Sequence, residues 1–147
     1  GKRLGEMYRL TAMMPHEREI TVIDPERETE RFQSLSEGRE SLPEGGARCF
    51  DCYRLRLEKT ARYMAEHPGR YDYFATTLTV SPHKNAEKLN EIGYELAEKY
   101  GVRYLPSDFK KRGGYKRSIE LSREYSLYRQ DFCGCEFSRR IKYPDAD

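Results

Sequence analysis

Four cysteines in two close pairs are the residues of this sequence best suited to chemistry. Cys49 and Cys52 stand three apart in ARCFDCYRL, and Cys133 and Cys135 flank a glycine in DFCGCEF. Four thiolates suit tetrahedral zinc or an iron–sulfur cluster. A C-x-x-C dithiol also supports thiol–disulfide exchange. Spacing alone leaves zinc, a cluster, dithiol chemistry and four unrelated thiols open.

The elements expected around each pair favour thiolates. A helix is predicted over 48–66, so Cys49 and Cys52 lie near its N-terminus, where the helix dipole and free N–H groups stabilise negative charge. Gly134 allows a tight bend that would aim both flanking sulfurs at one centre. Nearby arginines and aromatic side chains would shield a cluster from water and tune its potential.

The hydrophobic pattern predicts an α/β chain. It predicts helices over 2–14, 25–35, 48–66, 81–101 and 115–127, and strands over 19–24, 71–80 and 102–105. Asp24 and Ser81 are the expected N-caps, each followed by proline, and Gly101 is the expected C-terminal glycine. Alternating strands and helices indicate one domain, 1–147, with a mostly parallel sheet. Ligands bind at the carboxyl ends of such strands, where Thr76, Thr77 and Thr79 are expected.

Basic charge is concentrated in residues 103–123. The net charge is +2, but residues 103–123 hold seven basic and two acidic residues, a pattern that attracts polyanions. The candidate phosphate contacts are Lys110, Lys111, Arg112, Lys116 and Arg117. The alternative is an ordinary solvated loop and helix face.

A second anion site is expected at SPHKN, residues 81–85. Ser81, His83 and Lys84 would stand at a helix N-terminus, although capping alone explains the serine. Tyr53, Tyr115 and Tyr128, near the cysteines or the basic loop, are candidates for stacking on bases. No apolar run approaches the ~20 residues that span a bilayer, so no membrane partner and a cytoplasmic location are expected.

Three segments of the chain together resemble the QueH-type epoxyqueuosine reductases. The segments are ARCFDCYRLRLEKTA, FATTLTVSPHKNAEKLNEIG and YLPSDFKKRGGYKRSIELSREYSLYRQDFCGC, and the likeness runs from about residue 20 to residue 138. The resemblance implies reduction of the epoxide of epoxyqueuosine, at the wobble position of tRNA, to queuosine, the last step of queuosine biosynthesis. It also implies a HUP-like, Rossmann-like α/β fold.

The resemblance further implies a cofactor and partners. The family's C-x-x-C-Y and C-G-C motifs fall on Cys49, Cys52, Cys133 and Cys135, implying a 4Fe–4S cluster. The partners would be a tRNA with a queuosine-type anticodon, reached by Lys84 and the basic residues of 110–117, and an unidentified electron donor. Asp131, beside the second pair, is a candidate proton donor.

One family motif has no counterpart in this sequence. The family carries a C-C-x-P-C run after its first strand, and that run helps to bind a second iron. We therefore expect an N-terminally truncated piece, lacking the first strand and the second iron's ligands. Two alternatives follow from the residues: a zinc-stabilised nucleic-acid-binding module without catalysis, and a thiol oxidoreductase that uses only Cys49 and Cys52.

Overall fold

A computed structural model describes residues 2–13, 20–23 and 28–140 of the chain. Its α-helices are α1 (Lys2–Met13), α2 (Thr29–Ser36), α3 (Ala47–Glu66), α4 (Ala86–Tyr100) and α5 (Gly114–Glu124). Short 3-10 helices cover Leu78–Val80 and Glu136–Arg140. None of the described helices is both long and apolar enough to cross a membrane. Comparison of these bounds with the predicted ones confirms the helices predicted over 2–14, 48–66 and 115–127 within a few residues.

The chain separates into two compact units. One unit is Thr29–Ser118, and the other joins Gly1–Glu28 to Ile119–Asp147. The first unit contains Cys49 and Cys52, and the second contains Cys133 and Cys135.

The predicted α/β fold with a parallel, HUP-like sheet is wrong for the described part of the chain, which is helical. Its only β pairing is one parallel bridge, between Phe74 and Tyr104. The Phe74 N–H donates to the Arg103 carbonyl, and the Phe74 carbonyl accepts from Leu105, both at 2.9 Å. The bridge joins the segments predicted as strands 71–80 and 102–105, so they do meet. A lone pair of short segments makes no sheet, because stable sheets need further strands.

The strand predicted over 19–24 and the predicted start of α2 fall partly outside the described residues. Residues 20–23 have no regular secondary structure. The rest of the strand predicted over 19–24 lies outside the described residues. The proposed cap Asp24 and Pro25 lie outside them too, and α2 begins at Thr29.

Packing of α3 against α4 forms the core of the first unit. Leu57 and Ala61 on α3 meet Leu89, Ile92 and Leu96 on α4, and all five are buried. Burial of each leucine or isoleucine side chain contributes roughly 1.5–3 kcal/mol. This helix pair is therefore the scaffold that carries the cysteine pair at the start of α3.

A carboxylate ties three helices of this unit together. Glu58 on α3 accepts hydrogen bonds from Lys99 at 2.6 Å, from the Tyr100 hydroxyl at 2.9 Å and from Arg31 at 3.1 Å. The bond from Lys99 is the largest influence, and the three donors lower the pKa of Glu58 to about 2 against the opposing effect of burial.

The start of α4 differs from the prediction. Asn85 caps the helix, and its side-chain oxygen accepts from the Lys88 N–H at 2.9 Å. Ser81 accepts instead from the His83 N–H at 3.3 Å, which closes a local turn before the helix. The prediction that Ser81 and Pro82 begin the helix is wrong. The predicted C-terminal glycine is confirmed, because Gly101 adopts the left-handed conformation at φ 65°.

Candidate functional site

The first cysteine pair lies where the sequence predicted it, in the first turns of α3. The N-cap residue is Gly46, which offers no capping side chain. Cys49 is 8% exposed, Cys52 is half-buried, and neither is in a disulfide. The Gly45 N–H donates a hydrogen bond to the Cys49 sulfur at 3.3 Å. A backbone N–H aimed at the sulfur, together with the helix N-terminus, suits a thiolate ligand.

The loop before α3 is anchored by a buried arginine. The Arg48 guanidinium donates to the carbonyl oxygens of Arg39 and Glu40, both at 2.8 Å. Arg39 in turn pairs with Asp51, between the two cysteines. These contacts fix the backbone that supplies the N–H group to Cys49. Sequence reasoning placed Arg48 near a cluster only as a source of charge, and nothing in the sequence showed its backbone partners.

Lys84 immediately precedes Asn85, the N-cap of α4, and its side chain lies in the interior. Its side chain is 8% exposed, and its amine pairs with Glu44 at 3.1 Å. The amine also lies 5.7 Å from the centre of the Tyr53 ring. The anion site at residues 81–85 stays a prediction, although the helix begins at Ala86 rather than at Ser81. The burial of Lys84 disfavours a phosphate contact, and the burial of Tyr53 disfavours stacking on a base.

The second cysteine pair is held by a tight turn. Gly134 has φ 96°, a conformation that side-chain-bearing residues rarely adopt. The buried Ser138 hydroxyl accepts from the Cys133 N–H at 3.1 Å and donates to the Cys135 carbonyl at 2.8 Å. Ser138 thus closes the turn that places the two thiols on either side of Gly134. Sequence reasoning missed this serine. Its position three residues after Cys135 is the only local signal. The candidate proton donor Asp131 is exposed.

The prediction of a cluster requires two thiols from each cysteine pair. Within each unit, the described residues contain no group of three or more histidines, cysteines and acidic residues that could hold a metal. The local geometry of both pairs fits thiolate ligands. The four-cysteine cluster stays a prediction.

The basic loop, the segment before α5 that contains Lys110, Lys111 and Arg112, is anchored by a network of polar contacts. Thr79 is fully buried, and its hydroxyl lies 2.9 Å from that of Ser107. The Thr79 hydroxyl also accepts a hydrogen bond from the Phe109 N–H at 3.2 Å. The backbone carbonyl of Thr79 accepts one from the Lys110 N–H, also at 3.2 Å. The Asn90 side chain on α4 bonds the Ser107 backbone, donating to the carbonyl at 3.0 Å and accepting from the N–H at 3.2 Å. Thr79, predicted at a ligand edge, instead anchors this loop.

The predicted phosphate contacts differ in their surroundings. Lys110 and Lys111 both pair with Asp108, at 3.0 and 3.4 Å. Hydrogen bonding from Lys110 and then from Lys111 holds the pKa of Asp108 below its usual range. Lys111 is 77% exposed at its side chain, and the other three candidates, Arg112, Lys116 and Arg117, are exposed as well. Four of the five side chains therefore face solvent.

Comparison with known proteins gives one consistent result. The sequence model of the family "Epoxyqueuosine reductase QueH" matches residues 1–141. Proteins named epoxyqueuosine reductase QueH are 45% identical in Staphylococcus epidermidis, 48% in Streptococcus pyogenes and 38% in Thermotoga maritima. These matches cover 81%, 71% and 80% of this chain, respectively.

The chain spans about half the length of the relatives that it matches. The aligned part is 50% of the Staphylococcus epidermidis protein, 40% of the Streptococcus pyogenes protein and 62% of the Thermotoga maritima protein. The family match nevertheless extends over nearly all of the present sequence and includes both cysteine pairs. The chain belongs to the epoxyqueuosine reductase QueH family.

Proposed function

We propose that this chain takes part in the reduction of epoxyqueuosine in tRNA to queuosine, as an iron–sulfur oxidoreductase. Membership of the family supports the reaction, since its relatives carry the name of that activity. The proposed cofactor is supported mainly by the environment of Cys49, whose sulfur accepts a backbone hydrogen bond at the start of α3, where no side chain caps the helix. The zinc-stabilised binding module is disfavoured, because the relatives are named as reductases.

The proposed ligands of a 4Fe–4S cluster are Cys49, Cys52, Cys133 and Cys135. When bound, such a cluster supplies electrons one at a time at a potential set by its surroundings. The residues of this chain would control those surroundings. The Gly45 N–H donates to one sulfur, and the aromatic ring of Phe50 packs on the core beside the first pair. These features stabilise negative sulfur and exclude water.

The remaining parts of the reaction are assigned as follows. Asp131, two residues before Cys133 and exposed, is the proposed proton donor. The ligands of a second iron, implied by the family resemblance, have no counterpart in this sequence. The RNA partner is a tRNA with a queuosine-type anticodon, and Lys110, Lys111, Arg112, Lys116 and Arg117 are its proposed phosphate contacts. The electron donor is a separate partner, and the expected compartment is the cytoplasm.

Metal analysis tests the cofactor. The chain is purified without oxygen and reconstituted with iron and sulfide, and both are then quantified alongside an absorption spectrum. We expect about four irons and four sulfides per chain. The C52S and C135S variants should both lose the cluster, whereas S81A, which alters no proposed ligand, should retain it. One zinc without sulfide after reconstitution would overturn the cluster.

A nucleoside assay tests the reaction separately. The reconstituted chain is incubated with tRNA that carries epoxyqueuosine and with a low-potential chemical reductant, which takes the place of the unidentified donor. Mass spectrometry of the digested tRNA should show loss of one oxygen from the modified nucleoside. C52S supplies the matched control. If a fully reconstituted cluster leaves the epoxide unchanged, the cluster of this chain is not sufficient for the reaction, whatever the metal content.

A further inference from the structure

An exposed phenylalanine lies inside the most basic segment of the chain. Phe109 is 50% exposed, between Asp108 and the Lys110–Arg112 run. Its ring has no hydroxyl that water could hydrate, so exposure leaves apolar surface in solvent. Single exposed apolar residues are common, but Phe109 also has a fixed backbone and is followed directly by three basic residues.

The backbone of Phe109 is fixed on both sides. Its N–H donates to the buried Thr79 hydroxyl at 3.2 Å. Its carbonyl oxygen lies so close to Gly114 that a Cβ there would be 1.7 Å from it. The next residue, Lys110, donates its N–H to the Thr79 carbonyl at 3.2 Å. The ring is therefore presented by a preorganised loop, which reduces the entropy cost of binding a flat partner.

The charged residues near Phe109 in the sequence indicate what kind of partner it would bind. Lys111 and Arg112 follow it in the loop, and Lys116 lies on the first turn of α5; all three are exposed. Asp108, the acid beside the ring, is already paired with Lys110 and Lys111. Exposed basic residues close in sequence to an exposed aromatic ring match a strand that carries both phosphates and unstacked bases.

We propose that Phe109 is a stacking platform for an unpaired base of single-stranded RNA, with the neighbouring phosphates held by Lys111 and Arg112. The proposal rests on the proposed function for the identity of the natural RNA, which would be the anticodon loop of the tRNA substrate. Stacking requires only the π face of a base, so it gives affinity and position without reading sequence.

A tryptophan reporter tests the contact directly. The chain contains no tryptophan, so the F109W variant has a single one, in the loop. An unmodified RNA hairpin with the anticodon-loop sequence should quench its fluorescence, because an indole stacked on a base is quenched. A fully paired RNA duplex and polyglutamate are also negatively charged but have no unpaired bases, so neither should quench the fluorescence. Quenching by polyglutamate as strong as by the hairpin would overturn the proposal and indicate an acidic protein partner.

The matched control is Y73W, at a tyrosine of the same unit that is 48% exposed and lies 4.5 Å from the Arg103 guanidinium. Its fluorescence should stay unchanged on addition of the hairpin. Equal quenching at both positions would mean that any exposed aromatic ring near an arginine responds, and would overturn the assignment to Phe109.

Affinity measurements complete the test with the full chain. F109L keeps apolar bulk but removes the aromatic face, and we expect it to weaken hairpin binding about tenfold while leaving duplex binding unchanged. F109Y should bind like the parent chain. K111A should weaken both RNAs and lower the salt dependence. Equal hairpin affinities of F109L and the parent chain would sink the stacking role. These RNAs carry no epoxide, so stacking can fail while epoxide reduction stands, and the reverse.

Discussion

At the residue scale, two glycines are required by the atoms around them rather than by their own backbone. A Cβ on Gly93 would lie 2.3 Å from the ring of Tyr104, and a Cβ on Gly114 would lie 1.7 Å from the Phe109 carbonyl oxygen. Neither requirement is visible in the sequence, where Gly93 interrupts a helical pattern and Gly114 extends a flexible-looking pair. Gly93 lets the Tyr104 ring pack against α4, and Gly114 lets the backbone of Phe109 approach the start of α5.

Replacement of Gly93 by alanine should destabilise the first unit. The new methyl group must displace the Tyr104 ring, whose hydroxyl donates to the Asn90 side chain at 2.8 Å. Overpacking of this kind costs about 1–3 kcal/mol. Urea unfolding of G93A measures the change. The control is G5A on α1, where nothing lies within 4 Å of the added Cβ. Alanine there should be neutral or stabilise by up to about 1 kcal/mol. Equal losses in both variants would contradict the steric argument.

At the element scale, the association of α2, α3 and α4 should depend on pH through Glu58. Its pKa is lowered from 4.5 to about 2, so its ionised form is favoured in the folded state. The resulting stability is fully present above about pH 5 and is lost as pH falls towards 2. At pH 7 the E58Q variant should lose up to about 3 kcal/mol in the free energy of unfolding. The deficit should shrink as urea unfolding is repeated at progressively lower pH.

Glu95 provides the matched control for Glu58. It pairs with Arg54, and that pairing lowers its pKa, but the two side chains are 47% and 43% exposed. Exposed pairs contribute about 0–1 kcal/mol because water and salt screen them. The E95Q variant should therefore change stability little at any pH. An E58Q deficit that stays constant down to pH 3 would argue against the titration of Glu58 as its cause.

The cap of α4 gives a second prediction at this scale. N85A removes the bond to the Lys88 N–H and should cost about 0.5–2 kcal/mol, whereas N85D should retain most of the stability. S81A, at the residue that the sequence favoured as the cap, should have a smaller effect. Thermal unfolding of the three variants ranks them. A larger loss in S81A than in N85A would restore the earlier start of the helix.

Helices could be predicted from this sequence better than extended segments, for a physical reason. The periodic apolar face of α3 specifies a helix by itself, and its predicted bounds differ from the observed ones by a single residue. A strand exists only beside a partner. The segment 71–80 has the residue types of a strand, but it makes only the Phe74 bridge before Leu78 turns into a 3-10 helix.

The same limit applies to the candidate site. Cysteine spacing and the start of α3 placed the first pair correctly, because helix position follows from local pattern. The interior place of Lys84 could not be predicted, because its partner Glu44 is 40 residues away in sequence. The role of Thr79 depends likewise on Ser107, which is 28 residues away in sequence. Local chemistry was therefore readable, while long-range pairing was not.

At the scale of the whole molecule, the proposed cluster has a consequence for stability. Two of its proposed ligands, Cys52 and Cys135, lie far apart in the sequence. A cluster bound by both would couple the folding of the segments that carry them, because a ligand that binds only the folded state stabilises everything needed to form its site. Iron and sulfide should then raise the unfolding temperature of the whole chain in one cooperative step.

Differential scanning calorimetry without oxygen tests this linkage. The reconstituted parent chain should unfold several degrees above its apo form, since 1 kcal/mol shifts the midpoint of a domain of this size by roughly 2–4 °C. C52S and C135S should each abolish the rise, although each changes a different unit. Their apo forms should unfold at the same temperature as the apo parent, which separates loss of the cluster from damage to the fold. A full rise that survives in C135S would remove Cys135 from the proposed ligands.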